Sequence, residues 1–164
     1  MLVSVPYNRD AVVEYAAKWA LSRNPRYANF DGMGGDCTNF VSQCIYAGCR
    51  VMNCTPIYGW YYINLNNRSP AWSSVQYLYK FLINNKEVGP YCVETDREHI
   101  QKGDIIQLRD SSGTYYHSLV VMSNNNGNIL ISAHTYDALN RPLDSYVGAD
   151  GMRFLHIVGA RKWV

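Results

Sequence analysis

The chain has 164 residues, 48% of them hydrophobic and 17% charged, with a formal net charge of +2. That length suits one domain, residues 1–164, and the apolar share supplies a core, which excludes extended disorder. The small charge, spread along the chain, gives no nucleic-acid footprint, and no apolar run approaches the roughly 18 residues of a membrane span.

The opening "MLVSVPYNRD" lacks the charged and apolar zones of a signal peptide. From Asn8 or Asp10 onward, "AVVEYAAKWALSR" spaces Val12, Tyr15, Ala16 and Trp19 by three and four, which predicts a first amphipathic helix. Asn24 before Pro25 and the glycines Gly32, Gly34 and Gly35 predict an irregular loop after it. A second helix should begin between Asp36 and Thr38, with Cys37, Phe40, Val41, Cys44 and Ile45 on its core face and Gly48 as its stop.

"NCTPIYGWYYINLNNRSPAWSS" is rich in turn formers and aromatics and reads as a long structured loop. "WSSVQYLYKFLINN" follows as a third helix, capped by Ser73 or Ser74. The second half changes period: "GDIIQLRD", "YYHSLVVMS", "NILISAHTY" and "FLHIVGARKWV" read as four consecutive antiparallel strands separated by turn chemistry. Helices followed by a segregated run of strands make an α+β domain.

Chemistry concentrates where the Gly-rich loop meets the second helix. A helix amino terminus stabilises a thiolate through unpaired N–H groups and the positive end of its dipole, so Cys37 is the candidate nucleophile. The glycines before it let further N–H groups approach a carbonyl oxygen, as an oxyanion site requires. Most free cysteines are simply small core residues, so the reading needs a base from elsewhere in the chain.

Four histidines are available. His117, at the mouth of a strand after two tyrosines, could face a thiol on the packed helix and is the candidate general base. His134 ends the next strand, where a hairpin neighbour can orient the first ring; Asp137 competes for that role and Asn128 is a third candidate. His99 and His156 lack such a context and read as structural. Asp36, Trp60, Tyr61 and Tyr116 are the candidate substrate-binding residues, with plain core packing as the alternative for the aromatics.

Five cysteines cannot all pair within one chain, so at least one thiol stays free. Cys37, Cys44, Cys49 and Cys54 are separated by 7, 5 and 5 positions, without the close C-x2-C knuckle of structural zinc, so no metal and no cofactor are expected.

The segments "GGDCTNFVSQ", "HSLVV" and "SAHTYDALNRPL", with "YNRDAVVEYAAKWALSRNPRYANFD" before them and "RSPAWSSVQYLYKFL" between, resemble the putative amidase domain family of Gram-positive bacteria. The resemblance covers about Tyr7 to His156 and places that family among papain-like cysteine hydrolases related to the NlpC and CHAP cell-wall enzymes. It implies N-terminal helices packed on a C-terminal antiparallel sheet, with Cys37 as nucleophile, His117 as base and His134 as orienting residue. It further implies hydrolysis of an amide in peptidoglycan or a peptide, at the bacterial wall or outside the cell, with room for a separate wall-binding module. A non-catalytic cell-wall-binding module, and a papain-like transferase or peptidase acting on a non-wall substrate, are the rival readings.

Overall fold

A computed structural model describes residues 1–164. The elements run β1 (Leu2–Val5), α1 (Arg9–Trp19), α2 (Cys37–Cys49), a hairpin of β2 (Tyr62–Asn64) and β3 (Asn67–Arg68), α3 (Pro70–Ser73) and α4 (Val75–Asn84). Then come β4 (Gly89–Thr95), β5 (Ile105–Arg109), β6 (Tyr115–Asn125), β7 (Asn128–Ala133), β8 (Ala138–Pro142), a 3-10 turn at Leu143–Ser145, and β9 (Gly151–Trp163). The fold is α+β, as the change of period predicts.

Local chemistry sets the helix starts. Asn8 caps α1 by accepting the Ala11 N–H at 3.0 Å, and Ser74 caps α4 by accepting from Tyr77 at 3.4 Å. Gly48 does not stop α2. The helix runs on to Cys49 and ends with Arg50 in the left-handed region at φ 60°. Gly48 is instead where α1 crosses: a Cβ there would lie 2.5 Å from Val12 Cγ2 and 2.7 Å from the Tyr7 ring. The single apolar face expected of α2 is also too narrow, because 11 of its 13 residues are buried. Its polar positions are each bonded inside the protein, with Ser42 donating to the Trp72 carbonyl at 2.8 Å and accepting from Trp60 Nε1 at 3.0 Å.

All four predicted strands form, but they are not consecutive neighbours. The order is β1-β9-β5-β6-β7-β8, with β4 also paired to β9, and every pairing is antiparallel. β9 returns to lie beside β5 because its 13 residues can bind three partners: β5 along its first part, β4 through its middle and β1 at its end. β1, β4 and β8 are strands that turn-rich or short sequence concealed.

Side chains alternate between the two faces of the sheet. Ile105, Val120 and Leu155 join Phe40, Val41, Ile45, Trp60 and Trp72 in the larger core beneath the helices. Ile106, Leu108, Leu119 and Ile131 point the other way, into a smaller core closed by Leu143 and Tyr146. The start of α2 meets the sheet at β6 and β7, where the candidate residues gather.

Candidate active site

Asp36 stands at the N-cap position of α2 but its side chain does not cap the helix. One carboxylate oxygen accepts the Phe30 N–H and the Asn39 Nδ2–H, both at 2.8 Å. The other meets His134 Nδ1 at 2.5 Å. Burial alone would raise the Asp36 pKa; the bonds from His134, Asn39 and Phe30 outweigh it and hold the carboxyl below its usual range. Its own N–H donates to Thr135 Oγ1 at 2.8 Å, which draws the loop after β7 against the loop before α2. With the carboxylate turned away, the N–H groups of Cys37 and Asn39 have no backbone or side-chain hydrogen-bond acceptor, and that of Thr38 faces only the Cys37 sulfur.

Cys37 is the first residue of α2 and is 8% exposed. Burial pushes its pKa up, and the Asp36 charge adds to that; N–H groups of Ser118 and Thr38 and the Thr38 hydroxyl, 3.7 Å from the sulfur, act in the opposite direction. The net shift is upward, so the resting group is a thiol. A chain of hydroxyls leads to it: Gln107 Nε2 donates to Ser118 Oγ at 3.1 Å, and Ser118 Oγ lies 2.9 Å from Thr38 Oγ1. Ser118 accepts from Gln107, and the Thr38 hydroxyl stands between Ser118 and the sulfur, within reach of both.

His117 follows a different course from the one its position suggests. It pairs with Leu108 in the ladder, and alternation turns Ser118 towards α2 and His117 towards the side of Leu108 and Leu119. Its ring lies 6.2 Å from the Tyr116 ring and 6.0 Å from that of Tyr146. It makes no hydrogen bond to Cys37, to His134 or to any other group in the protein. Burial, with the nearby Arg141 cation, lowers its pKa to about 4, so the ring is neutral at pH 7. The structure thus brings the sulfur to the N–H of Ser118, one residue from the candidate base, without joining thiol and imidazole.

His134 does not touch His117. Nδ1 is held by Asp36, Nε2 lies 2.8 Å from the Trp19 carbonyl, and the ring stacks on Phe40 at 4.0 Å. Asp137 binds Arg23 at 2.8 and 2.9 Å, and Asn128 pairs with Asn125 at the opposite end of β7. None of the three orients the His117 ring here. Two candidate substrate contacts are fully buried in this structure. Asp36 and Trp60 are each 0% exposed, Asp36 within its bonds and Trp60 packed on Trp72 with centroids 4.8 Å apart. Tyr61 is half-buried in the loop that carries Ile57, whose N–H its hydroxyl accepts at 3.4 Å. Tyr116, 44% exposed, stands beside His117.

Arg23 escaped the sequence reading. It bonds Asp31 at 2.6 Å and Asp137 through both carboxylate oxygens, and its buried Nε lies 3.5 Å from Asp36. It therefore ties the loop before α2 to the loop after β7. Nothing in "LSRNP" signals this, because its three acids are 8, 13 and 114 residues away. All five cysteines are free, and no cluster of His, Cys, Asp or Glu has metal-binding geometry.

The putative amidase domain family matches residues 6–157. Two proteins of Bacillus subtilis strain 168 are similar: the uncharacterized protein YhbB, 32% identical over 93% of this chain and 50% of its own, and the uncharacterized protein YjcM, 26% identical over 88% of this chain and 35% of its own. The chain thus spans half or less of the curated relatives it matches. No solved structure matches it significantly.

Proposed function

The chain belongs to the putative amidase domain family, and from that premise we propose a cysteine-dependent amide hydrolase that acts on peptidoglycan at the bacterial cell wall or outside the cell. Amide hydrolysis is the general activity the family suggests. The observation that carries the cysteine mechanism is the uncapped start of α2, which sets a thiol beside N–H groups that have no acceptor. Such donors can hold the oxyanion that forms when a thiolate attacks a carbonyl.

In this mechanism the Cys37 proton passes to neutral His117 as the sulfur bonds to the amide carbon. The oxyanion is held by the Cys37 N–H and its neighbours. The C–N bond then breaks, the leaving amine takes the proton from His117, and a thioester remains on Cys37. Water, giving its proton to His117, attacks the thioester and releases the carboxylic acid and the thiol. For that transfer His117 must leave the Leu108 and Leu119 side of the sheet for the α2 side, which requires the start of β6 to shift on substrate binding as well as the ring. No hydrogen bond holds the ring itself. A helix with cysteine at its amino end, packed on an antiparallel sheet that carries the histidine, supports a papain-like relationship to the NlpC and CHAP enzymes. The greater length of the relatives leaves room for a wall-binding module beside a single catalytic domain.

Mass spectrometry of purified peptidoglycan after incubation with wild type, Cys37→Ala and His117→Ala tests the reading. New carboxyl and amine termini should form with wild type alone, and their masses identify the bond. Termini produced equally by folded Cys37→Ala would overturn it.

A further inference from the structure

Beside His117 the structure holds a phenol without a hydrogen bond and a guanidinium without a carboxylate. Tyr146, 6.0 Å from the His117 ring, has a buried hydroxyl with no hydrogen bond. The Arg141 guanidinium lies 3.8 Å from the centre of the Tyr146 ring. Against the upward pull of burial its nearness draws the phenol's pKa down, yet no hydrogen bond of ordinary geometry joins the two.

Arg141 is fixed in place without being neutralised. Nε donates to Ser145 Oγ at 2.7 Å, Nη2 makes only a long 3.4 Å contact to the Ser145 carbonyl, and Nη1 has no acceptor. No carboxylate lies within 4 Å of it, which is also true of Arg26, Arg50, Arg68, Arg153 and Arg161; what sets Arg141 apart is the unbonded phenol it covers beside His117. Asp144, three residues away, is occupied by Arg97 at 2.6 Å. A guanidinium held at Nε, with Nη1 free and Nη2 only weakly bonded, next to an unbonded phenol, is complementary to a planar carboxylate.

We propose that Arg141 and Tyr146 anchor a carboxylate of the substrate, so that the protein selects amides flanked by a free carboxylate. The inference rests on the reading of His117 as part of the active site, and it narrows the substrate to acidic peptides or acidic peptide stems. Two sources share that chemistry: an acidic side chain and a free C-terminus. The anchor also explains an otherwise costly arrangement, since the unbonded phenol would gain its missing partner only when substrate is bound.

The test is calorimetric titration of Cys37→Ala with peptide fragments released from peptidoglycan, in four forms: unmodified, side-chain amidated, C-terminally amidated and amidated at both. Amidation of the anchored carboxylate should weaken binding by about ten-fold or more, the usual scale for a charged hydrogen bond, and whichever single amidation has that effect identifies the source. Arg141→Gln and Arg141→Lys, each checked for an unchanged fold by circular dichroism, should erase or reduce the preference. Equal affinity for all four forms, no binding of any form at millimolar concentration, or a preference that survives Arg141→Gln overturns the proposal. Carboxylate-dependent binding without hydrolysis by wild type would count against the hydrolase and leave the anchor standing.

Discussion

The two ends of α1 each lead to a buried aspartate that holds a histidine and an arginine, yet only one grouping stands beside a thiol. At the start, Asp104 accepts from Arg9 at 2.7 Å, from His156 at 3.0 Å and from the N–H groups of Ile157 and Gln101, both at 2.9 Å. Beyond the other end, Asp36 takes His134, Asn39 and Phe30, with Arg23 close by. Asp104 spends its oxygens fastening β9 and the turn before β5 to α1. Asp36 instead turns away from the helix it precedes and leaves N–H groups free around Cys37. An Asp–His–Arg grouping is therefore a fastening in itself, and reactivity depends on which donors it leaves unused.

Removing the thiol sharpens that contrast most. Cys37→Ala should reduce product formation from peptidoglycan to background in the mass-spectrometric assay while leaving the melting temperature within a few degrees of wild type. Replacing the aspartates compares the groupings directly. Asp36→Ala and Asp104→Ala should each cost about 3–5 kcal/mol in urea unfolding, because each leaves buried partners uncompensated. Activity per folded molecule should fall further only in Asp36→Ala; an equal fall in both would erase the distinction drawn here.

His117 belongs to neither grouping and gives a pH signature of its own. Its folded pKa of about 4 lies below the ordinary 6.5, so between those values the unfolded chain binds the extra proton. Stability contributed by the neutral ring is complete above pH 6.5 and declines as the pH falls towards 4, by about 3 kcal/mol at most. Denaturant titrations from pH 7 to pH 4 should show this slope in wild type and lose it in His117→Ala. The smallest effects separate the other two histidines. His134→Gln, at a site 1% exposed, should cost about 2 kcal/mol, whereas His156→Gln, with a side chain 26% exposed, should cost under about 1 kcal/mol by the same urea measurement.

The readable parts of the fold were those with local causes. Asn8 and Ser74 cap helices that periodicity locates to within a few residues, and the β-branched runs of β5, β6, β7 and β9 announce themselves. β4, in "GPYCVET", begins with a glycine and a proline and was hidden because its stability comes from pairing with β9 rather than from composition. The same limit applies at the site. Cys37 at a helix start and His117 at a strand start follow from the order of residues. Trp60 looked like a cleft wall because an aromatic in a turn-rich segment carries no sign of whether its loop folds inward.

The sequence alone determined the α+β class, the helix that begins with a cysteine and the neighbouring strands that carry His117 and lead into His134, because these depend on spacing within a few residues. Tertiary structure decided the rest. It set β9 beside β5, gave His134 to Asp36 rather than to His117, brought Arg23 to acids as far as 114 residues away and left Arg141 without a carboxylate. Those outcomes turn on which buried polar groups find partners across the chain, and in a low-dielectric interior an unpaired group costs too much for local preference to decide where it goes.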